Sequence, residues 1–350
     1  MNGVAHAREC RKRKLTTRSG VVLPFTELGL AGAPLGNLHW PLTEKEARAT
    51  LDAAWTAGCR YYDTAPRYGL GLSETRINGF LRAKPRDSYL LSTKVGRRLE
   101  LCASAERSLQ GSYFETPSRR EAFDYSYDGV MRALEASFER LGLDRIDIVY
   151  AHDVDAGADA TKEDAEMRMR AFMEGGYKAL LALRAAGVIR AIGAEIKDCG
   201  RAETLARWGD FDLFLLAGRY TLLEQEALTR LLPLCAERKI GVVVGGPFNS
   251  GILAKGPKRG AIYNYTPASE AVLERVRRIQ TICTAHRVKL AEAALRLPLS
   301  HPVVVSVIPG AHKAGDVRRN ADMLNAKIPP ALWRALKAEG LLRADAPTPR

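Results

Sequence analysis

The stretch YYDTAPRYG (residues 61–69) ends a β-prone run with an aspartate and presents a tyrosine five residues later. Upstream, TEKEARATLDAAWTAG (43–58) predicts a helix, because Thr43 and Glu46 can form a capping box and apolar residues recur at helical spacing. Downstream, LSETRINGFLRA (72–83) predicts a helix and SYLLSTKVG (88–96) predicts a strand. Such alternation of strands and helices is typical of a parallel sheet.

The alternation continues along the chain. Further predicted strands are RIDIVYAHD (145–153), VIRAIGAE (188–195), FDLFLLAG (211–218), IGVVVGG (240–246) and VVVSVIP (303–309). The β-prone start of VVLPFTELGLAGAPLGN (21–37) brings the count to eight strands, and we expect a closed (β/α)₈ TIM barrel with a short N-terminal β segment and a C-terminal helix. An open doubly wound sheet would carry G-x-G-x-x-G after its first strand, and that motif does not occur.

The charge of the chain is concentrated at its start. Residues 1–20 hold six Lys or Arg side chains against one Glu, which is +5 of the net charge of +13. We expect a basic, flexible tail over 1–20, followed by one barrel domain over 21–350. No DNA-binding motif follows the tail, so a nucleic-acid partner is not expected.

Residues 97–127 interrupt the alternation. They show no clean period and are long for a connection, which is typical of a functional or disordered loop. The six cysteines form no C-x-x-C pair, and no apolar run is long enough to cross a membrane. These features predict reduced thiols and a cytoplasmic protein without a membrane partner.

Four chemically suited residues follow the carboxyl ends of neighbouring strands, where TIM barrels place their chemistry. These are Asp63, Tyr68, Lys94 and His152. A lysine near a tyrosine favours the phenolate, an aspartate would hold the lysine, and a histidine could orient a substrate oxygen. Such a tyrosine exchanges a proton with an alcohol or alkoxide, and hydride transfer to or from a nicotinamide or flavin is the complementary step.

Each of the four also has an ordinary structural interpretation. Asp63 could cap a turn, Tyr68 could pack, Lys94 could be solvated, and His152 could be a satisfied histidine at the rim. Their joint placement at one end of three neighbouring strands favours the catalytic interpretation. No metal ligand set is indicated.

The pattern resembles the aldo-keto reductase superfamily over about residues 22–326. The matching pieces are DTAPRYG, STKVG, the histidine of YAHD, VIRAIGA, RYTLLEQ and VIPGAHKAGDVRRN. Within it, FLLAGRYTLLEQEAL and VVVGGPFNSGIL are most similar to bacterial aldose 1-dehydrogenases acting on L-fucose or galactose, with pyridoxal 4-dehydrogenases almost as similar.

The resemblance implies that the four residues are a catalytic tetrad with Tyr68 as the general acid and base. It also implies an NAD(P) cofactor across the barrel mouth, and Trp40 and His152 as substrate contacts. The expected cofactor contacts are Gly32, Ala33, Pro247, Phe248, Ser250, Gly251, Gly310, Asp316 and Asn320. Asp316 stands where many members carry an arginine for the 2′-phosphate, which favours NAD over NADP, although NADP is possible.

The chain departs from the family pattern around the nicotinamide. Glu195 and Ile196 replace a common Ser-Asn pair, Ala217 replaces a glutamine, and Gly245 replaces a stacking aromatic. We expect an NAD(P)-dependent oxidoreductase acting on a small sugar or aldehyde, and within that class an aldose 1-dehydrogenase of the L-fucose type. The alternatives are a pyridoxal 4-dehydrogenase and a cofactor-binding regulatory subunit without turnover.

Overall fold

The computed structural model of the chain describes residues 10–109, 111–155 and 161–349. The strands in these ranges are β1 (Lys12–Thr16), β2 (Val22–Thr26), β3 (Leu30–Ala31), β4 (Tyr61–Asp63), β5 (Leu90–Val95), β6 (Arg97–Leu101), β7 (Arg119–Phe123), β8 (Ile148–Ala151), β9 (Ala191–Ile196), β10 (Leu213–Ala217), β11 (Gly241–Gly245), β12 (Ile262–Tyr263), β13 (Thr266–Pro267) and β14 (Val304–Ile308).

The helices in the same ranges lie mostly between the parallel strands. They are α1 (Glu44–Thr56), α2 (Leu72–Leu81), α3 (Tyr127–Leu141), α4 (Lys162–Ala171), α5 (Tyr177–Ala185), α6 (Cys199–Trp208), α7 (Leu231–Glu237), α8 (Ile252–Lys255), α9 (Glu270–Ala285), α10 (Leu290–Arg296), α11 (Ala314–Leu324) and α12 (Pro330–Ala338). A π-helical turn, Phe172–Gly176, joins α4 to α5. None of these helices combines the length and apolar character that a bilayer crossing requires.

Eight parallel strands form the barrel in the order β3, β4, β5, β8, β9, β10, β11 and β14. Bridges from Leu28 to Val307 and from Ala31 to Gly310 join its two edges. The predicted (β/α)₈ barrel is therefore confirmed. Because both faces of each strand are covered, strands such as β10 and β11 are continuous apolar runs rather than alternating ones.

The barrel interior and the helix layer form two separate cores. Inside lie side chains such as Tyr61, Tyr150, Leu215 and Val243. Outside, the helices bury their apolar stripes against the strands, and Leu51 of α1 is 1% exposed. All six cysteines are free thiols, as predicted.

The N-terminal hairpin β1–β2 closes the end of the barrel opposite the site. Leu15 reaches Gly241 at the start of β11, and Arg13 donates to Glu27 and to the carbonyl of Val304. The prediction of a flexible tail over 1–20 is therefore wrong for Lys12–Thr16, which pairs with β2 in an antiparallel ladder. The first nine residues of that predicted tail lie outside the described residues.

The segment 97–127 is also more regular than predicted. Strands β6 and β7 form an antiparallel hairpin with Arg97 opposite Phe123 and Leu101 opposite Arg119. This insertion hairpin follows β5 directly, so it stands on the same rim of the barrel as Lys94. The structural consequence is a wall beside the candidate site rather than an irregular loop.

Candidate active site

Asp63 and Lys94 form a buried ion pair at the carboxyl ends of β4 and β5. These strands are parallel neighbours, with Asp63 aligned to Ser92. The ammonium nitrogen of Lys94 lies 2.8 Å from Asp63 Oδ1, 2.6 Å from Oδ2 and 3.0 Å from the carbonyl oxygen of Thr64. Ser92 Oγ donates to Asp63 Oδ1 at 2.7 Å, so the carboxylate is fully engaged.

The loop after β4 places Tyr68 over this pair. The Tyr68 amide donates to the carbonyl of Ala65 at 3.1 Å in a tight turn, and Lys94 Nζ lies 4.8 Å from the centre of the Tyr68 ring. Gly69 adopts φ +65, and its backbone touches that of Gly36 so closely that a Cβ has no room. The sequence YG at 68–69 therefore reflects a contact between the loops after β3 and β4.

His152 directly follows β8 and faces Tyr68. The two ring centres are 5.9 Å apart and the rings are nearly perpendicular. The hydroxyl of Tyr125, at the end of the insertion hairpin, donates to the His152 carbonyl at 2.6 Å. Gly96 has φ +98 and lies against the Tyr125 ring, where a Cβ would clash. The hairpin thus helps to fix the histidine.

Glu195, on β9, joins the four predicted residues. Its Oε2 lies 3.1 Å from His152 Nε2, and its side chain is 8% exposed. Burial acts to raise the pKa of Glu195, but the contact with His152, and then Lys94, outweigh it and lower that pKa, so Glu195 is the ionised member of the pair. The sequence analysis identifies Glu195 only as a departure from the family pattern. Its contact with His152 could not be predicted there, because the histidine follows a different strand.

The electrostatics of the site favour a protonated Tyr68 and a neutral His152. Burial raises the pKa of Tyr68 well above its usual value, and the carboxylates of Glu195 and Asp63 raise it further. Burial also lowers the pKa of His152, although Glu195 and Asp153 oppose this. Lys94 is expected from the sequence to lower the pKa of Tyr68, but the net direction is upward, because burial and the two carboxylates dominate.

A chain of buried charges surrounds the site. Asp153 accepts from Arg97 at 2.5 Å and from Lys197 at 2.7 Å, and these two cations lower its pKa although burial acts to raise it. Glu121 bridges Arg97 and Arg67. The chain ties the insertion hairpin to the ends of β8 and β9.

Two aromatic residues near the mouth were not singled out from the sequence. Tyr113, in the turn of the insertion hairpin, is 8% exposed and is close enough to raise the pKa of Tyr68. Tyr265, between β12 and β13, lies 5.9 Å from Lys197 Nζ and is 70% exposed. A lone tyrosine in an aperiodic segment carries no signal of its own, so only the fold reveals the placement.

The loop after β11 fits a phosphate-bearing cofactor. Asn249, Ser250 and Gly251 are consecutive left-handed residues, a backbone form that makes concave anion-binding surfaces. The amides of Phe248 and Ser250 have no acceptor within the described residues, whereas those of Asn249 and Gly251 donate inside the loop. The predicted contacts Pro247, Phe248, Ser250 and Gly251 therefore lie together.

The remaining predicted cofactor contacts are spread along the rim between β3 and β14. Gly32 donates to the Asp63 carbonyl at 2.7 Å, with Ala33 next to it. Gly310 bridges Ala31, and Asn320 of α11 is 5% exposed against a small cavity lined by Leu28 and Pro309. Asn320 is thus buried rather than open to the cleft.

Asp316 and Trp40 have partners that the sequence does not indicate. The Asp316 carboxylate accepts from the amides of His312 and Lys313, at 3.1 and 3.2 Å, and pairs with Arg319 at the start of α11. Trp40 stacks on His312 with ring centres 4.0 Å apart. Trp40, predicted to contact substrate, therefore lies beside the predicted cofactor contacts around Asp316.

Comparison with known proteins agrees with this geometry. The model of the aldo/keto reductase family matches residues 27–339. The chain is 41% identical to D-threo-aldose 1-dehydrogenase from Pseudomonas sp. over 338 residues, covering 95% of this chain and 97% of the relative. It is 38% identical to pyridoxal 4-dehydrogenase from Microbacterium luteolum, covering 96% of this chain and 99% of the relative.

A solved structure supports the same assignment. The holo form of aldo-keto reductase AKR11C1 from Bacillus halodurans superposes with a TM-score of 0.75 at 25% identity, covering 97% of this chain and 98% of that chain. Relatives named as dehydrogenases match over nearly the whole chain, which favours an enzyme over a regulatory subunit. The chain belongs to the aldo/keto reductase family and is an oxidoreductase.

Proposed function

We propose that this enzyme oxidises an aldose of the L-fucose type at its anomeric carbon, with NAD as the hydride acceptor. The observation that carries the chemistry is the buried Asp63–Lys94 pair beneath Tyr68, with the His152 ring 5.9 Å from the Tyr68 ring. The substrate class rests on the relative at 41% identity.

Each residue of the site has a separate role in the proposed reaction. In the oxidation, Tyr68 first loses its own proton to solvent and acts as the phenolate, which is a strong base because its pKa is high. The anomeric hydroxyl lies between Tyr68 and His152; its proton passes to the phenolate oxygen, and the C–H bond breaks with its electron pair leaving as hydride, so that a lactone forms. The nicotinamide supplies the hydride acceptor when it is bound. His152 orients the reacting oxygen, and Lys94, held by Asp63, stabilises negative charge on Tyr68.

The charge and the loops around the mouth support a nicotinamide dinucleotide. The phosphates would lie on the amides of Phe248 and Ser250, and the ribose near Asp316. Asp316 places a carboxylate where a 2′-phosphate would need a cation, and it also holds Arg319. Both effects favour NAD over NADP.

Oxidation of pyridoxal is the second candidate function, supported by the relative at 38% identity. The test is to incubate the enzyme with L-fucose, D-arabinose, D-galactose or pyridoxal and each cofactor, and to follow the absorbance of reduced nicotinamide. Turnover of an aldose with NAD is the expected result. Turnover of pyridoxal with no aldose oxidised would replace the first proposal by the second.

A further inference from the structure

Glu195 presents an acceptor atom that no described residue satisfies. Its Oε2 is buried and makes no hydrogen bond of good geometry within residues 10–109, 111–155 and 161–349, although His152 Nε2 is 3.1 Å away. A buried acceptor without a donor destabilises the folded protein, because it loses its hydrogen bonds to water. An unsatisfied carboxylate oxygen beside the reacting groups points to a donor that arrives with a ligand.

Apart from Asp155, which has one buried oxygen without a partner but whose other oxygen accepts from two backbone amides, the neighbouring described carboxylates differ from Glu195 in this respect. Asp63 is held by Lys94, Asp153 by Arg97 and Lys197, and Glu121 by Arg67 and Arg97. Each of the three has at least one direct cation partner. Glu195 is the member of this described cluster that meets only a histidine, whose pKa burial lowers.

A metal ion is a poorer occupant than a hydroxyl group. His152, Asp153 and Glu195 offer ligand atoms within 4.8 Å of one another. However, both Asp153 oxygens already accept from cationic side chains, Arg97 and Lys197, which a metal would have to displace. A neutral donor needs no such rearrangement.

We propose that Glu195 accepts a hydrogen bond from the hydroxyl on the carbon next to the reacting carbon, and so selects hydroxylated substrates. The proposal rests on the proposed function, which places the reacting oxygen at His152 Nε2. Glu195 Oε2 lies 3.1 Å from that nitrogen, comparable to the spacing of oxygens on adjacent carbons. A site that binds a hydroxyl discriminates strongly against the analogue that lacks it.

The test compares two aldehydes that differ by this one hydroxyl group. Reduction of glycolaldehyde and of acetaldehyde by NADH is measured for the wild type and for Glu195→Met, which keeps the length of the side chain but removes the acceptor. We expect the wild-type ratio of the two kcat/KM values to favour glycolaldehyde, and to fall about tenfold or more in Glu195→Met, the scale of a charged hydrogen bond.

A matched variant separates this effect from a general loss of negative charge. Glu121→Gln removes a buried carboxylate from the same charge network, on the far side of Arg97 from His152, and should leave the aldehyde ratio of the wild type in place. NADH affinity, measured by fluorescence titration, and a thermal unfolding curve accompany each variant.

Two outcomes overturn the proposal while the proposed function stands. An unchanged ratio together with weaker NADH binding would assign Glu195 to the nicotinamide, and an unchanged ratio with unchanged binding would make Glu195 structural. If neither aldehyde is reduced, the same ratio is taken for oxidation of D-galactose and 2-deoxy-D-galactose. Turnover of neither pair, with no activity on any of the four candidate substrates, would show that the proposed function itself is wrong.

Discussion

The Lys94 ammonium nitrogen lies 2.6 Å from Asp63 Oδ2, and solvent reaches 0% of the lysine side chain and 1% of the aspartate. Burial raises the pKa of Asp63, and Lys94 and then Ser92 act against this rise. The pair is therefore a structural element of the barrel core as well as the support of Tyr68. Removing one partner leaves the other as a buried charge without a counter-ion, which lowers the free energy of unfolding.

Lys94→Met should lose activity and stability together. It leaves the Asp63 carboxylate buried without its cation, which destabilises proteins by about 3–5 kcal/mol. The double variant Asp63→Asn/Lys94→Met should recover much of the free energy of unfolding in denaturant titrations but no turnover. Equal stability of the single and double variants would contradict this interpretation.

Tyr68→Phe should reduce turnover by about 10²–10⁴-fold, the usual contribution of general acid–base catalysis. The ring and its contact with Lys94 remain, so NADH affinity in a fluorescence titration should change little. Retention of more than about a tenth of the wild-type kcat would remove Tyr68 from the role of proton donor and acceptor.

Gly69→Ala should impair catalysis by displacing Tyr68. The position has φ +65, and an added Cβ would meet the backbone of Gly36. Gly20→Ala is the control, because Gly20 has φ +80 with nothing within 4 Å of the added Cβ, so it carries only the conformational cost of roughly 1–2 kcal/mol. The kcat of Gly69→Ala should fall well below that of Gly20→Ala, and equal kcat values would show that the contact does not position the tyrosine.

Asp155→Asn should stabilise the protein at neutral pH. Burial raises the pKa of Asp155 to about 6, against the amide donors of Lys197 and Asp198. Folding therefore favours the protonated acid, so the stability that Asp155 contributes is present below about pH 4 and is lost as the pH rises to about 6.

The asparagine keeps an acceptor oxygen without the charge. Its advantage over the wild type should grow to at most about 3 kcal/mol near pH 7 and vanish near pH 4. Urea unfolding across this range measures the difference. A difference that does not vary with pH would show that Asp155 does not titrate there.

Asp316 should set the cofactor preference. We expect kcat/KM to be roughly tenfold or more higher with NAD than with NADP, which corresponds to about 1.4 kcal/mol. Asp316→Asn retains an acceptor for the amides of His312 and Lys313 but removes the charge and releases Arg319, so it should narrow the preference.

Asp316→Arg should narrow the preference further or reverse it. Because that variant also loses the cap of α11, its thermal unfolding must be compared with that of Asp316→Asn. Equal kcat/KM values of the wild type with NAD and with NADP would contradict the proposed role of Asp316 in cofactor preference.

The barrel is predictable from the sequence because buried parallel strands such as β10 and β11 are continuous apolar runs between helices. The insertion hairpin is not, because β6 and β7 carry Arg and Glu side chains on both faces, and pairs such as Arg120 with Glu100 stabilise them across the strands. The single apolar residue of β1, Leu15, likewise gives no periodicity.

The candidate site likewise contains residues that the sequence predicts and contacts that it does not. Residues at strand ends, such as Asp63 and His152, can be placed from the order of the strands alone. The contact between Glu195 and His152 joins β9 to the end of β8, and the Tyr125 hydroxyl reaches the His152 carbonyl across 27 residues. Such contacts depend on tertiary packing, which short-range patterns do not encode.

The hydrogen bond from Tyr125 to His152 also limits how the substrate range could be redesigned. The insertion hairpin forms one wall of the mouth through Tyr113, which makes it an attractive segment to exchange between relatives. A graft that replaced only residues 97–123 would keep Tyr125 but would have to retain the Arg97 contact with Asp153. A graft that extended to residue 125 would have to supply the tyrosine and Gly96 together. The insertion hairpin and His152 would therefore have to be transferred as one unit.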